Sequence, residues 1–258
     1  MLALDVTHSL LAILCGSLVG ASLALIGGGG SILAVPLLLY VVGVRDPHLA
    51  IGTSALAVSL NAFANLVPHA RAGHVHWREA AVFAVAGVLG AFAGSSLGKW
   101  LDGQRLLVLF AGLMLVVAAL MLRPRAATAT DVPPHRFPRL GGIGLLTGGV
   151  AGFFGIGGGF LIVPGLMFAG GLSIIDAIGS ALLAVGVFGA TTAINYAASG
   201  LIDWRVAVEF IAGGLAGGWL GALGAHRLAQ RRGVLNRLLA VVIAAVAVLM
   251  LWREMGGP

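Results

Sequence analysis

Eight apolar stretches follow one another along this chain, each close to the roughly 20 residues a helix needs to cross about 30 Å of hydrocarbon. They fall at residues 8–26, 49–68, 79–98, 105–122, 140–156, 177–197, 206–225 and 235–252, and two shorter apolar pieces, 31–44 and 160–172, follow glycine clusters. Inside lipid no water is available to the backbone, so such segments must satisfy their N–H and C=O groups as helices. Composition leaves no soluble alternative: 59% of residues are hydrophobic and 9% charged, against about 25% charged in an average soluble domain. The expected fold is an all-α polytopic membrane protein, multi-pass, with the lipid bilayer as its first partner.

The 41 glycines are roughly double the usual share, which suits helices that must approach closely where lipid provides no hydrophobic drive for association. The net charge of +6 is scattered between apolar runs. That pattern holds loops on the cytoplasmic side and points to no nucleic acid. A single cysteine, Cys15, excludes an internal disulfide framework and a cysteine metal site, and it reads as a small buried hydrophobe. The opening residues have the length of a signal peptide but carry Asp5 instead of a basic region, so they read as a retained helix.

The chain repeats itself. LIGGGGSILAVPLLLYVVGV in the first half answers to FFGIGGGFLIVPGLMFAGGL in the second, with Pro36 matching Pro164. AIGTSALAV answers to AIGSALLAV, so Gly52 pairs with Gly179 and Thr53 with Ser180. Gly73, Trp77 and Arg78 match Gly200, Trp204 and Arg205, and the offset stays between 127 and 128 throughout. The expected organisation is a first transmembrane repeat over 1–122, a cytoplasmic Arg/Pro-rich linker over 123–139, and a second transmembrane repeat over 140–258. If each short piece also crosses, each half crosses five times, and ten basic residues lie inside against five outside. Re-entrant short pieces give eight against seven. The positive-inside tendency favours the first arrangement, and because five is odd it makes the two repeats inverted.

Function is sought first at the glycine clusters. Four successive glycines destabilise a helix by about 1 kcal/mol each, and a break at membrane depth is tolerated only against protein or a water-filled cavity. Paired glycine-interrupted short segments are the best sequence pointer to a transporter binding site. The helices restarting at Ser31 and Phe160 would aim free N–H groups into that cavity, which suits an anion. Close helix packing is the competing explanation, and it fits Gly90, Gly94 and Gly98, or Gly144, Gly148 and Gly152, better than the clusters. A dinucleotide fingerprint is excluded, since no βαβ unit surrounds GIGGGF. Asn61 and Asn65 share one helix face, as do Thr191 and Asn195; they can line a pathway or serve interhelical hydrogen bonds. The candidate substrate-binding set is therefore Gly28, Gly29, Gly30, Ser31, Asn61, Asn65, Gly157, Gly158, Gly159, Thr191 and Asn195. His69, His74 and His76 read as loop histidines near one mouth, and Trp77 and Trp204 as interfacial anchors. Catalysis has no support: there is no G-x-S-x-G elbow, no H-E-x-x-H and no Walker lysine. No enzyme activity, metal or cofactor is expected.

The segments GGGGSILAVPLLL and GIGGGFLIVPGLM, with the blocks AIGTSAL and AIGSALL and the duplicated layout, resemble the sulfite exporter TauE/SafE family of membrane transporters over nearly the whole chain outside the linker. The resemblance implies a permease of the bacterial inner membrane that moves sulfite, sulfoacetate or a related small anion outward. The expectation is a secondary transporter working by alternating access between the repeats. A membrane-embedded accessory protein and an anion channel are the alternatives, and self-association into a homo-oligomer stays open.

Overall fold

A computed structural model describes residues 2–26, 28–122, 136–228 and 232–256. Among them no strand occurs and almost every residue is helical. The long helices are α1 (Leu2–Ile26), α3 (Pro47–Arg71), α4 (Trp77–Trp100), α5 (Gly103–Leu122), α6 (Arg136–Phe154), α8 (Ile174–Ala197), α9 (Trp204–Leu228) and α10 (Arg232–Gly256). In the first short piece a 3₁₀ helix, Gly28–Leu33, passes through α2 (Ala34–Leu37) into a π-helical turn, Leu38–Val42; the second is α7 (Gly159–Gly170). Pro36 lies within the first and Pro164 within the second.

The expected spans are recovered, extended at most ends by caps. Asp46 accepts from the His48 and Leu49 amides (2.7 and 3.4 Å) and Pro47 opens α3, which satisfies orphan donors of the first turn. Ser173 does the same for α8. α6 starts at Arg136, inside the stretch expected as linker; the rest of that stretch, 123–135, lies outside the described residues. It also stops at Phe154, two residues early, because Gly155 enters the left-handed region at φ +67°. Six described helices are long and apolar enough to cross a membrane by themselves. α6 falls short of that, being diluted by glycine and opening on Arg136 and Arg139. Leu89, Leu146, Val208 and Leu220 stay exposed on the outer surface, as lipid-facing positions must be.

Packing runs across the halves. α6 lies along α4, with Gly90 against Leu145 and Gly149, and Gly94 against Gly149 and Phe153. α1 lies along α9 in the same way, with Gly20 against Gly214, Ser17 against Gly217 and Ala21 against Gly221. A Cβ at most of these glycines would strike the facing backbone, so the small residues set how closely the helices approach.

Contacts also fix direction. Residue numbers rise together in α1 with α9 and in α4 with α6. They do so again in α3 with α9 (Thr53–Asp203, Asn65–Gly218) and in α4 with α8 (Phe83–Phe188, Ser95–Asn195). Between α3 and α8 they run oppositely: Gly52 meets Tyr196, Ser59 meets Gly186 and Gly189, and His69 meets Gly179. Hence α1, α3 and α9 point one way and α4, α6 and α8 the other. Because α1 and α3 are parallel, the short segment between them carries the chain back; α7 does so between α6 and α8.

Candidate functional site

The twin AIG[T/S] blocks are a structural clamp. Thr53 Oγ1 accepts the Asp203 amide (3.0 Å) and Ser180 Oγ accepts the His76 amide (2.9 Å). Beside them Gly52 admits the Leu201 carbonyl and Gly179 the His74 carbonyl. Each half thus holds the turn before the third long helix of the other half, α9 or α4, where free amides would otherwise be orphaned. Gly73 and Gly200, at φ +75° and +71°, make those turns. Trp77 and Trp204 follow, both exposed.

The glycine clusters are the breaks. In the second half, Gly155, Gly157 and Gly158 all have positive φ (+67°, +65°, +67°), a region that costs other residues about 1–2 kcal/mol. Gly157 sits against Val58 and Val185, the midpoints of α3 and α8. Gly158 backs onto Ala151 and the Thr147 carbonyl of α6 and caps α7, whose first residue is Gly159. α7 therefore starts halfway along the bundle and runs to one end. The Ser54 hydroxyl, bonded to the Ile51 carbonyl at 2.9 Å, lies 3.3 Å from the Gly155 carbonyl and ties the turn to α3. In the first half Gly28, Gly29 and Gly30 belong to the 3₁₀ helix. Gly30 presses on Ser22 of α1, and Ser31 is fully buried. The two breaks meet: Ile32 and Leu33 share one apolar cluster with Ile156 and Phe160.

The polar candidates divide. Asn61 and Asn65 face α9, against Gly214 and Gly218. Asn61 is fully buried and its Nδ2 and Oδ1 lack partners; Asn65 Nδ2 donates to the Asn61 carbonyl at 2.9 Å. Thr191 turns back on its own helix, donating to the Val187 carbonyl (2.8 Å). Asn195 faces α4, donating to Ser95 and Ser96 (2.6 and 3.0 Å) and accepting from Lys99 Nζ at 2.8 Å. Lys99 also reaches the Asn195 carbonyl and Ser199 (3.0 and 2.9 Å), placing a cation on the last turn of α8. Thus the structure joins the two glycine breaks but sets the α3 pair and Asn195 in different seams. Lys99, the only lysine in the chain, was the available signal for the second seam.

At the end where α3 and α5 begin, a cleft of about 710 Å³ opens between Tyr40, Arg45, His48, Asp102, Gln104 and Glu254. Tyr40 donates to Glu254 Oε1 (3.0 Å) and Gln104 to the Glu254 carbonyl (2.9 Å). At the other end, His74 and His76 both approach Asp176, at 3.4 and 3.5 Å.

Comparison with known proteins agrees with this architecture. Residues 12–250 match the sulfite exporter TauE/SafE family. The chain belongs to that family. It is 56% identical over 244 residues to a probable membrane transporter protein of Xylella fastidiosa (strain 9a5c), covering 93% of each chain. It is also 26% identical over 220 residues to the probable membrane transporter protein YdhB of Bacillus subtilis (83% of this chain, 89% of the relative). A probable membrane transporter protein of Haemophilus influenzae is 29% identical over 204 residues, 75% of each chain. No solved structure matches significantly. This TauE/SafE member is a multi-pass membrane transporter, and the helical architecture above is what the transport function has to work with.

Proposed function

We propose that this TauE/SafE member is a secondary transporter that exports a small anion, such as sulfite or an organosulfonate, across a bacterial inner membrane. Transport proceeds by alternating access between two inverted repeats. The observation that carries this reading is the pair of glycine breaks. The second is seated against the midpoints of α3 and α8 and leads into α7; the first forms the start of a short 3₁₀ helix whose Ile32 and Leu33 share an apolar cluster with Ile156 and Phe160. Helix N-termini present unbonded amides and the positive end of the dipole, and neutral donors hold an anion without the expense of burying a cation. The antiparallel contact of α3 with α8, which occupy matching places in the repeat, supports the inverted relation; Gly157 packs against the middle of both. Rocking one repeat against the other about this contact would expose the breaks alternately to the two mouths.

The test is uptake and efflux in proteoliposomes with sulfite, sulfate, thiosulfate and small sulfonates, with and without a pH gradient. Saturable flux of one of them is expected. Flux that rises linearly without saturation marks a channel, and no flux of any of these anions refutes the reading.

A further inference from the structure

We propose that the solute path is one-sided, running along the seam between α3 and α9 while the matching seam between α8 and α4 stays dry, and that the Asn61 amide donates to a small oxyanion there. This inference rests on the transport reading and assigns its route.

The internal repeat makes the two seams comparable position by position. At the offset of 127, Asn61 and Gly214 on one side answer to Phe188 and Gly87 on the other. Both pairs are in tight contact: the Asn61 amide lies over Gly214 and the Phe188 ring over Gly87. Their chemistry is opposite. Phe188 is fully buried and stacks on Phe83 at 6.2 Å between ring centroids. Further along that seam the Asn195 amide is saturated by Ser95, Ser96 and Lys99. The α4–α8 seam is thus apolar at its centre and polar only where every bond is made.

Asn61 sits at the equivalent central place of the α3–α9 seam, with 0% exposure and neither its donor nor its acceptor partnered. A buried amide without partners is costly. It is retained with least penalty where another conformation supplies the partners, and such groups call for an explanation of that kind. One turn along α3, Val58 touches the Gly157 break, so a solute leaving the breaks meets Asn61 next. Opening α9 from α3 would hydrate Oδ1 and free Nδ2 for an oxyanion. Gly214 and Gly218 give α9 a smooth face beside Asn61 and Asn65. The other described buried atoms without partners, His48 Nδ1 and the Tyr196 hydroxyl, belong to the α3–α8 contact near one mouth and not to either seam.

The test uses full-length protein with Cys15→Ala, so that single cysteines report alone. Asn61→Cys and Phe188→Cys are reacted in proteoliposomes with methanethiosulfonate ethylsulfonate, a small anionic thiol reagent. Modification at 61 is expected to be at least about tenfold faster than at 188, since access controls thiol reaction, and an added small organosulfonate, which unlike sulfite does not attack the reagent, should slow it. Equal rates, or faster reaction at 188, overturn the proposal. In parallel, Asn61→Leu should lower kcat/KM for sulfite about tenfold, one hydrogen bond to an anion, with a thermal midpoint equal to or above that of the parent. Unchanged flux and KM in Asn61→Leu also overturn it. If the parent carries none of the tested anions while cysteine 61 still reacts faster, the anion-transport reading fails and the wet seam stands.

Discussion

Gly157 is where backbone and packing demands coincide, and Gly157→Ala separates them from ordinary glycine loss. At φ +65° an alanine is strained by about 1–2 kcal/mol. Its Cβ would lie 2.9 Å from Val185 Cγ1 and 3.1 Å from Val58 Cγ1, well inside the 3.5–4.0 Å of a relaxed carbon contact, and such overpacking adds about 1–3 kcal/mol. The expected total is about 2–5 kcal/mol. Gly73→Ala is the internal control: its φ is +75° but nothing lies within 4 Å of the new Cβ, so strain alone remains. At about 2–4 °C per kcal/mol for a chain of this size, thermal unfolding in detergent should show a clearly larger drop for Gly157→Ala than for Gly73→Ala. Anion flux should fall only in the former. Equal drops would refute the close seating of the break between α3 and α8.

Two further outcomes follow from the hydrogen bonds. Thr53→Val and Ser180→Ala should each cost about 1 kcal/mol by orphaning one amide, and because the two clamps sit at opposite ends of the α3–α8 contact the double variant should be additive within about 0.5 kcal/mol; thermal midpoints check this. Lys99→Met removes three bonds on the last turn of α8 and, discounted for its half-exposed position, should destabilise by about 1–2 kcal/mol while leaving membrane insertion intact.

Helix positions were legible because a membrane span announces itself by length and apolarity, and α1, α3, α8 and their neighbours lie where the apolar runs predict. Ends were less legible, since a cap such as Asp46 or Ser173 lies outside the apolar run it starts. The glycine breaks were legible from their repetition. What escaped was partnership. Helical spacing shows that Thr191 and Asn195 share a face, yet not that Asn195 looks at α4 while Asn61 looks at α9. Those directions depend on α1 packing along α9 and α6 along α4, which is an exchange between halves. The glycines that permit it, such as Gly90 and Gly148, read in isolation only as small faces. Likewise Gly52, Thr53, Gly179 and Ser180 stand out as a repeated block, but their role in holding turns of the opposite half needs the assembled bundle.

The central claim is that an anion passes where the two broken helices meet. Its most direct measurement is sulfite flux in proteoliposomes containing Gly29→Leu or Gly158→Leu, each beside the parent protein at equal incorporation. Leucine at 158 would be strained at φ +67° and pressed onto Ala151, so the account predicts saturable flux in the parent and its loss in both variants, with insertion preserved. Parent-like flux in both would contradict it.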